Sequence, residues 1–459
     1  MGAAANDVDG PPRLPRRGRR PRLAALALVA GLAACGTSES PSIVLVVIDA
    51  LRADHLTPYG FERNTSPHVE RLARSGTLFL QGVAASPWTG PSVASIVTGR
   101  YPDEVGIRGL RHRLPPSVPT LAQILRDAGY ATAAVVSNAL AGPAYGYHRG
   151  YDSFRFEHYK LQPEGSDAPP GQPYFTADRV TERALAWIAS APKPFFLYLH
   201  YTDPHEPYLP PPRWRDRFMS EADGFDETLL HGKRFTRVPL DGDELAAVRA
   251  HYEAEIAFVD HEVGRLVDAL GDDAIVVLTG DHGEEFRDHG AFLHGHTLYQ
   301  ELLRVPLLLA GPGIPRGRTS AVPASHVDIL PTVLELARVP SPPGVNGRSL
   351  LGALGDDRVA GEERVLFSIL EGGKTRCVAA RRGEWKLSSC GAGRGAVLHD
   401  LSRDPGESRD RASERRAVAQ ELARAIEERN ARVVPGTRPV DPTAARRMEA
   451  ALRALGYVE

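Results

Sequence analysis

Two carboxylates and an imidazole stand where apolar runs end. Asp49 follows the run Ile43–Ile48, and Gly280-Asp281-His282-Gly283 follows the run Ile275–Thr279. Carboxylate oxygens and an imidazole nitrogen make a ligand set for a divalent metal ion if the fold brings both run ends to one edge. Each residue alone is a weak sign, because an Asp after a strand also serves as a turn or helix cap. Between them lies Ser86-Pro87-Trp88-Thr89-Gly90-Pro91-Ser92, where Thr89 precedes a helix with Pro91 in its first turn. Thr89 is then either a helix N-cap or a hydroxyl that ionises beside the metal and attacks an anionic ester. In the second case the helix end holds the anion and the metal lowers the cost of the alkoxide.

The elements that must position these groups are legible in outline. The runs Ile43–Ile48, Ala131–Val136, Phe195–Tyr201, Ile275–Thr279 and Pro306–Ala310 are short, apolar and non-alternating, as strands of a sheet covered on both faces are. Helical patterns lie between them: one opened by Ser66-Pro67 and closed by Gly76, one from Thr120 to Ala128, and a long one from about Asp243 to Leu270. This alternation predicts an α/β fold with a mostly parallel central sheet flanked by helices, whose ligands bind outside the carboxyl ends of the strands. After about Gly355 the pattern changes to short strands at Val365–Ile369, Cys377–Ala380, Glu384–Ser388 and Ala396–Leu398, then charged helical turns from Arg411 to Arg432. The expected organisation is a catalytic domain over 42–355 and a smaller C-terminal α+β subdomain over 356–459. Substrate-lining residues are expected from the polar loop Gln162–Gln172 and from the arginine-containing segment Arg213–Val238.

The chain has 459 residues, of which 42% are hydrophobic and 24% charged, enough for a sizeable core. That composition excludes a disordered chain, a collagen-like fibre and a polytopic membrane protein. A net charge of −2 gives no basic excess for nucleic acid. Six arginines between Arg13 and Arg22 precede the apolar run Leu23–Ala34, which is too short to span a bilayer but suits a signal-peptide core. Its end, Leu32-Ala33-Ala34-Cys35-Gly36, resembles the lipobox of bacterial lipoproteins. That resemblance implies a signal peptide over 1–35, an acylated Cys35, and a chain exported and held at a membrane by its lipid. The alternative is a plain secretory signal in which Cys35 is incidental. Without residues 1–35 the chain keeps 49 basic and 55 acidic residues, a net of −6 that argues against docking on anionic surfaces through bulk charge. Cys377 and Cys390 flank a strand-like stretch, as a hairpin disulfide or as two buried thiols.

Longer motifs connect these residues. Val47-Ile48-Asp49-Ala50-Leu51-Arg52-Ala53-Asp54-His55-Leu56 is followed by Thr89-Gly90-Pro91-Ser92 with Thr98-Gly99-Arg100, and by Asp203-Pro204-His205-Glu206-Pro207-Tyr208. Gly280-Asp281-His282-Gly283-Glu284, Leu293-His294-Gly295-His296 and Arg304-Val305-Pro306-Leu307 come next. His326-Val327-Asp328-Ile329-Leu330-Pro331-Thr332, Leu398-His399-Asp400-Leu401 and the final Leu455-Gly456-Tyr457 complete the order. Across nearly all of the chain after residue 41, this resembles the sulfatase family of the alkaline phosphatase superfamily.

The resemblance implies a metal-dependent hydrolase of sulfate or phosphate-type esters, acting on a small-molecule, glycan or lipid ester. Asp49, Asp281 and His282 would bind the metal, with Thr89 as its fourth ligand and the nucleophile. His205 and His294 would hold the non-bridging oxygens or protonate the leaving group. Asn138, just after Ala131–Val136, and Arg100 are the substrate-binding candidates, Arg100 more readily as a group that fixes the nucleophile helix. His296 and His326 are either ligands of a second metal or structural, and Glu255 and Asp260 on the long helix are structural.

The departures from the family pattern carry information too. A sulfatase has Cys or Ser, converted to formylglycine, where this chain has Thr89, and an Arg where it has Val93. Threonine cannot yield that aldehyde, because its β-carbon already bears a methyl group. Sulfatases usually pair two aspartates where this chain has Asp49-Ala50, and use Asp-Asn where it has Asp281-His282. Imidazole in place of an oxygen ligand shifts preference from calcium toward zinc or manganese. The set of acid, Thr, Asp and His, with His294 twelve residues beyond His282, is similar to phosphoethanolamine transferases and nucleotide phosphodiesterases of the same superfamily. Two alternatives therefore stand beside the hydrolase: a phosphoethanolamine-type phosphotransferase, and a non-catalytic binder of anionic glycans.

Overall fold

The computed structural model describes residues 40–156, 177–219, 225–355, 364–372, 375–391 and 395–436. The signal segment with Cys35, the loop Gln162–Gln172 and the terminal Leu455-Gly456-Tyr457 lie outside the described residues.

The chain opens with β1 (Ser42–Ile48), α1 (Pro67–Arg74), β2 (Gly76–Val83), α2 (Thr89–Thr98), α3 (Leu121–Asp127) and β3 (Ala131–Val136). It continues through β4 (Ser153–Phe156), α4 (Ala177–Ile188), β5 (Phe195–Tyr201), α5 (Pro212–Phe218), α6 (Gly242–Leu270) and β6 (Ala274–Gly280). A small hairpin, β7 (Glu285–Phe286) and β8 (Phe292–Leu293), precedes α7 (Gln300–Leu303), β9 (Arg304–Ala310), β10 (Arg318–Ser320), β11 (Ala324–Ser325), α8 (Ile329–Leu336) and α9 (Leu351–Gly355). The last elements are β12 (Leu366–Gly372), β13 (Thr375–Arg382), β14 (Trp385–Cys390), β15 (Val397–Asp400) and α10 (Arg416–Asn430).

The nine-stranded sheet runs β10-β2-β9-β6-β1-β5-β3-β4, with β11 beside β2. Its centre is parallel: β1 pairs with β5 and β6, and β3 pairs with β4 and β5. β9 runs against β2 and β6, so the expected run Pro306–Ala310 is a strand but an antiparallel one. Alternate residues of β1 feed two cores. Ile43, Leu45 and Val47 pack on the face covered by α2, α3 and α8, whereas Val44, Val46 and Ile48 pack on the face covered by α1, α4 and α6. Burial on both faces explains why the run carries no polar alternation.

β2 was not anticipated. Gly76 reads as a helix stop, yet it also begins the strand. A Cβ there would lie 2.1 Å from the Leu309 carbonyl oxygen, and one at Gly82 would lie 2.3 Å from that of Val305. These glycines let β2 approach β9 closely, and they also erase the side-chain pattern that marks a strand.

The C-terminal sheet is antiparallel, in the order β12-β13-β14-β15, with α10 packed on it. Cys377 and Cys390 face each other across β13 and β14 and form a disulfide. β12 sits against the segment entering α2: the Ile369 amide donates to the Ala85 carbonyl at 2.9 Å and Ser368 Oγ to that of Ala84 at 2.6 Å. α10 anchors through Arg429, which is buried, pairs with Asp103 and Glu104, and stacks 4.1 Å over the Tyr101 ring. Among the described residues no helix is long and apolar enough to cross a membrane. Removing one member of a buried charge cluster strands the others, so Arg429→Ala is expected to cost about 3–5 kcal/mol. The reading is a lower urea midpoint at unchanged slope.

Candidate metal centre and nucleophile

Four neighbouring parallel strands deliver polar groups to one edge. In register, Ile48 lies opposite both Tyr201 and Gly280, and Val136 opposite His200. Asp49 therefore leaves β1, Asp281 and His282 leave β6, His200 closes β5, and Asn138 follows β3 at the same level. All five are fully buried.

Asp281 is fixed by two backbone donors, the Ala50 amide at 3.2 Å and the His282 amide at 2.8 Å, both to Oδ1. Asn138 is also held: its Oδ1 accepts from the Leu140 amide at 2.7 Å, which turns Nδ2 to donate to Asp49 Oδ2. His282 Nδ1 donates to the Gly283 carbonyl at 2.8 Å and so presents Nε2 inward, 3.3 Å from Asp49 Oδ1 and 3.7 Å from Asp281 Oδ2. The remaining oxygens, Asp49 Oδ1 and Asp281 Oδ2, are buried with no hydrogen-bond partner. Orphaned buried carboxylate oxygens are costly, and a divalent cation satisfies them. Asp49, Asp281 and His282 offer one ligand atom each within 4.8 Å of one another, so the residues fit a metal.

The protonation states follow from this crowding. Burial and the neighbouring Asp49 push Asp281 up to about 7. Against its own burial, Asp49 is held well below the carboxylate range by His205, His282 and His200. His282, although buried, is raised to about 10 by Asp281 and Asp49, and His200 is lowered to about 4 chiefly by burial.

Thr89 is the first residue of α2, and Trp88 occupies the N-cap without a side-chain bond, so Thr89 is not the cap. Its Oγ1 lies 3.4 Å from His282 Nε2 and accepts from Asn138 Nδ2 at 3.4 Å. A hydroxyl at a helix N-terminus, beside a metal-type ligand cluster, makes Thr89 the candidate nucleophile.

A second cluster adjoins the first. The His294 ring centre lies 4.3 Å from that of His282 and 4.8 Å from that of His205. His294 Nδ1 meets Glu284 Oε1 at 3.0 Å, and His205 Nδ1 meets the Glu206 carbonyl at 3.0 Å. Glu206 pairs with Lys233 of the Arg213–Val238 segment. Burial and Glu206 push Glu284 up to about 8. Glu206 and Glu284 were not assigned roles from the sequence, although both lie inside the quoted motifs, and Lys233 belongs to the Arg213–Val238 segment.

Other expected residues lie elsewhere. Arg100 follows the far end of α2 and donates to the Pro343 carbonyl at 2.7 Å, so it holds that helix end and makes no contact with the centre. His326 uses both ring nitrogens on backbone, at the Gly280 carbonyl and the Ala85 amide, and His296 pairs with Glu285. Neither joins a second metal cluster among the described residues. Glu255 accepts from the Leu209 amide and Asp260 from those of His68 and Val69, as structural groups do. Outside the centre a cavity of about 740 Å³ is lined by Trp88, Arg108, Arg111, His112, His294 and Glu371. The cationic side chains on its wall thus come from residues 108–112, a stretch that carries no recognisable motif.

A family model described as Sulfatase matches residues 41–339. The chain is similar to a choline-sulfatase of Rhizobium meliloti, 24% identical over 428 residues that cover 81% of this chain and 82% of the relative. Arylsulfatase K of Danio rerio is 26% identical over 437 residues, 84% of this chain and 82% of the relative. The crystal structure of a phosphonate monoester hydrolase of Agrobacterium radiobacter has the same fold, with a TM-score of 0.71 at 21% identity, over 86% of this chain and 96% of that one.

Two outcomes are expected at the centre. A metal must displace the protons held by His282 and Asp281, so affinity should rise as pH goes from 5 to 8, with proton release on binding. Calorimetry in buffers of different ionisation enthalpy reads that release. A Cβ at Gly283 would lie 2.0 Å from the Glu301 carbonyl oxygen. Gly283→Ala should displace His282 and lower metal affinity by ~10-fold or more, measured by chelator competition.

Proposed function

The chain belongs to the sulfatase family of hydrolases, and from that membership we propose a metal-dependent hydrolase of sulfate or phosphate-type esters with Thr89 as nucleophile. The observation that carries this reading is Thr89 Oγ1 at 3.4 Å from His282 Nε2, beside two carboxylates with unpartnered buried oxygens. Asp49, Asp281 and His282 hold the metal, which when bound stabilises the ionised Thr89 oxygen and the charge on the ester. With one imidazole in the set, zinc or manganese suits it better than calcium.

The Thr89 hydroxyl loses its proton to solvent, and its oxygen bonds to sulfur or phosphorus as the ester oxygen leaves. His205 or His294 supplies the proton that the leaving oxygen takes up. Water then cleaves the threonine ester, and its protons restore the hydroxyl and the imidazole. Asn138 Nδ2, already turned toward Thr89, donates to the non-bridging oxygens. Arg108, Arg111 and His112 along the cavity favour an anionic substrate, with Trp88 offering an aromatic face. A phosphotransferase would share the covalent step and differ only in the acceptor that replaces water.

Export as a lipoprotein through Cys35 completes the proposal. The disulfide between Cys377 and Cys390 supports it, because such bonds persist in oxidising compartments outside the cytosol.

A parallel screen of aryl sulfates, phosphate monoesters, phosphate diesters and phosphonates tests the reading. Thr89→Ala should lower kcat/KM on the preferred substrate by ~10³-fold or more, and Thr89→Ser should retain part of it. Full activity in Thr89→Ala would overturn the mechanism.

A further inference from the structure

His200 plays no part in the mechanism above, yet it is fully buried and lies beside the metal centre as the next-to-last residue of β5. Its Nε2 lies 3.8 Å from Asp281 Oδ2 and 3.9 Å from Asp49 Oδ2. Those separations are too long for hydrogen bonds, and the nitrogen has no other partner. An imidazole nitrogen so buried and unpaired is a liability that a cation removes.

We infer that His200 Nε2 is a ligand of the same metal, making a set of two carboxylates and two imidazoles with Thr89 Oγ1 at the remaining position. This rests on the metal-dependent reading above and adds a protein group to it. The spacing supports it. Metal–ligand bonds of about 2.0–2.2 Å place neighbouring ligand atoms of a five-coordinate site roughly 2.8–3.8 Å apart. Asp281 Oδ2 lies almost equally far from His282 Nε2, at 3.7 Å, and from His200 Nε2, at 3.8 Å. Both imidazoles therefore lie within 3.8 Å of one carboxylate oxygen, one carried by β5 and one by the turn after β6.

The other ring nitrogen is arranged as a ligand's would be. His200 Nδ1 meets the Tyr198 hydroxyl at 3.0 Å, two residues earlier on the same strand face. When Nδ1–H donates to that hydroxyl, Nε2 keeps its lone pair for the metal, and the ring cannot rotate away. His282 uses the same device, with Nδ1 on the Gly283 carbonyl.

X-ray absorption at the zinc edge of the full-length chain, loaded with one equivalent of zinc, counts imidazoles directly. The inference expects two per zinc in the wild-type protein and one in His200→Gln, whose folding is checked by its circular dichroism. Zinc affinity by chelator competition should fall by roughly 100-fold in His200→Gln, and by ~10-fold in Tyr198→Phe with the count still two. One imidazole in the wild-type protein overturns the assignment of His200 and leaves the hydrolase reading intact, independently of any variant. Failure to retain stoichiometric zinc overturns that reading and this inference together.

Discussion

The centre depends on keeping two like charges, Asp49 and Asp281, side by side where no water reaches them. The sheet imposes the proximity, because β1 and β6 are parallel neighbours whose ends stop at the same level. The backbone then adapts to it. Ala50 takes a left-handed conformation, φ 53°, which no side chain adopts freely, and so turns its amide onto Asp281. Tyr252 of α6 holds that turn from outside, donating to the Ala50 carbonyl at 2.7 Å and accepting from the Arg52 amide at 3.0 Å. A helix on one sheet face thereby stabilises a loop whose purpose lies at the sheet edge.

The placement of Thr89 follows from the same geometry. α2 is buried along its whole length, so its N-terminus cannot drift from the strand ends. The positive end of its dipole faces the carboxylates and the position where an anionic ester would sit. His205 and His294 come from two different loops, and each is fixed through its Nδ1, by the Glu206 carbonyl and by Glu284. The acidic second row thus orients imidazoles that would otherwise repel one another on protonation.

Much of this was legible from residue order, and the gaps have physical causes. Strands buried on both faces announce themselves as unbroken apolar runs, which is why β1, β3, β5 and β6 were foreseen within a residue or so. β2 was hidden because close packing on β9 demanded glycines in place of pattern-bearing side chains. Asp49, Thr89, Asp281 and His282 stand out only together, because their types in this order make a metal-ligand set with a hydroxyl beside it. His200 did not, because it sits inside the run Phe195–Tyr201, where one imidazole among apolar residues looks like an ordinary core histidine. Arg100 looked chemical from its motif, but a helix of ten residues separates it from Thr89.

The C-terminal sheet has a consequence for divergence within such folds. Its β12 end supplies Leu370, Glu371 and Gly372 to the wall of the cavity, whereas the metal-type ligand cluster and Thr89 come from the strand ends of the large sheet and from α2. This part of the wall and the metal-type cluster are therefore carried on separate stretches of chain, while Trp88 and His294 belong to the wall from the side of the centre. Substitutions at the β12 end can reshape what enters, and the disulfide at the base of the β13–β14 hairpin keeps the neighbouring strands aligned. Selection can thus vary this part of the wall apart from the metal-type cluster.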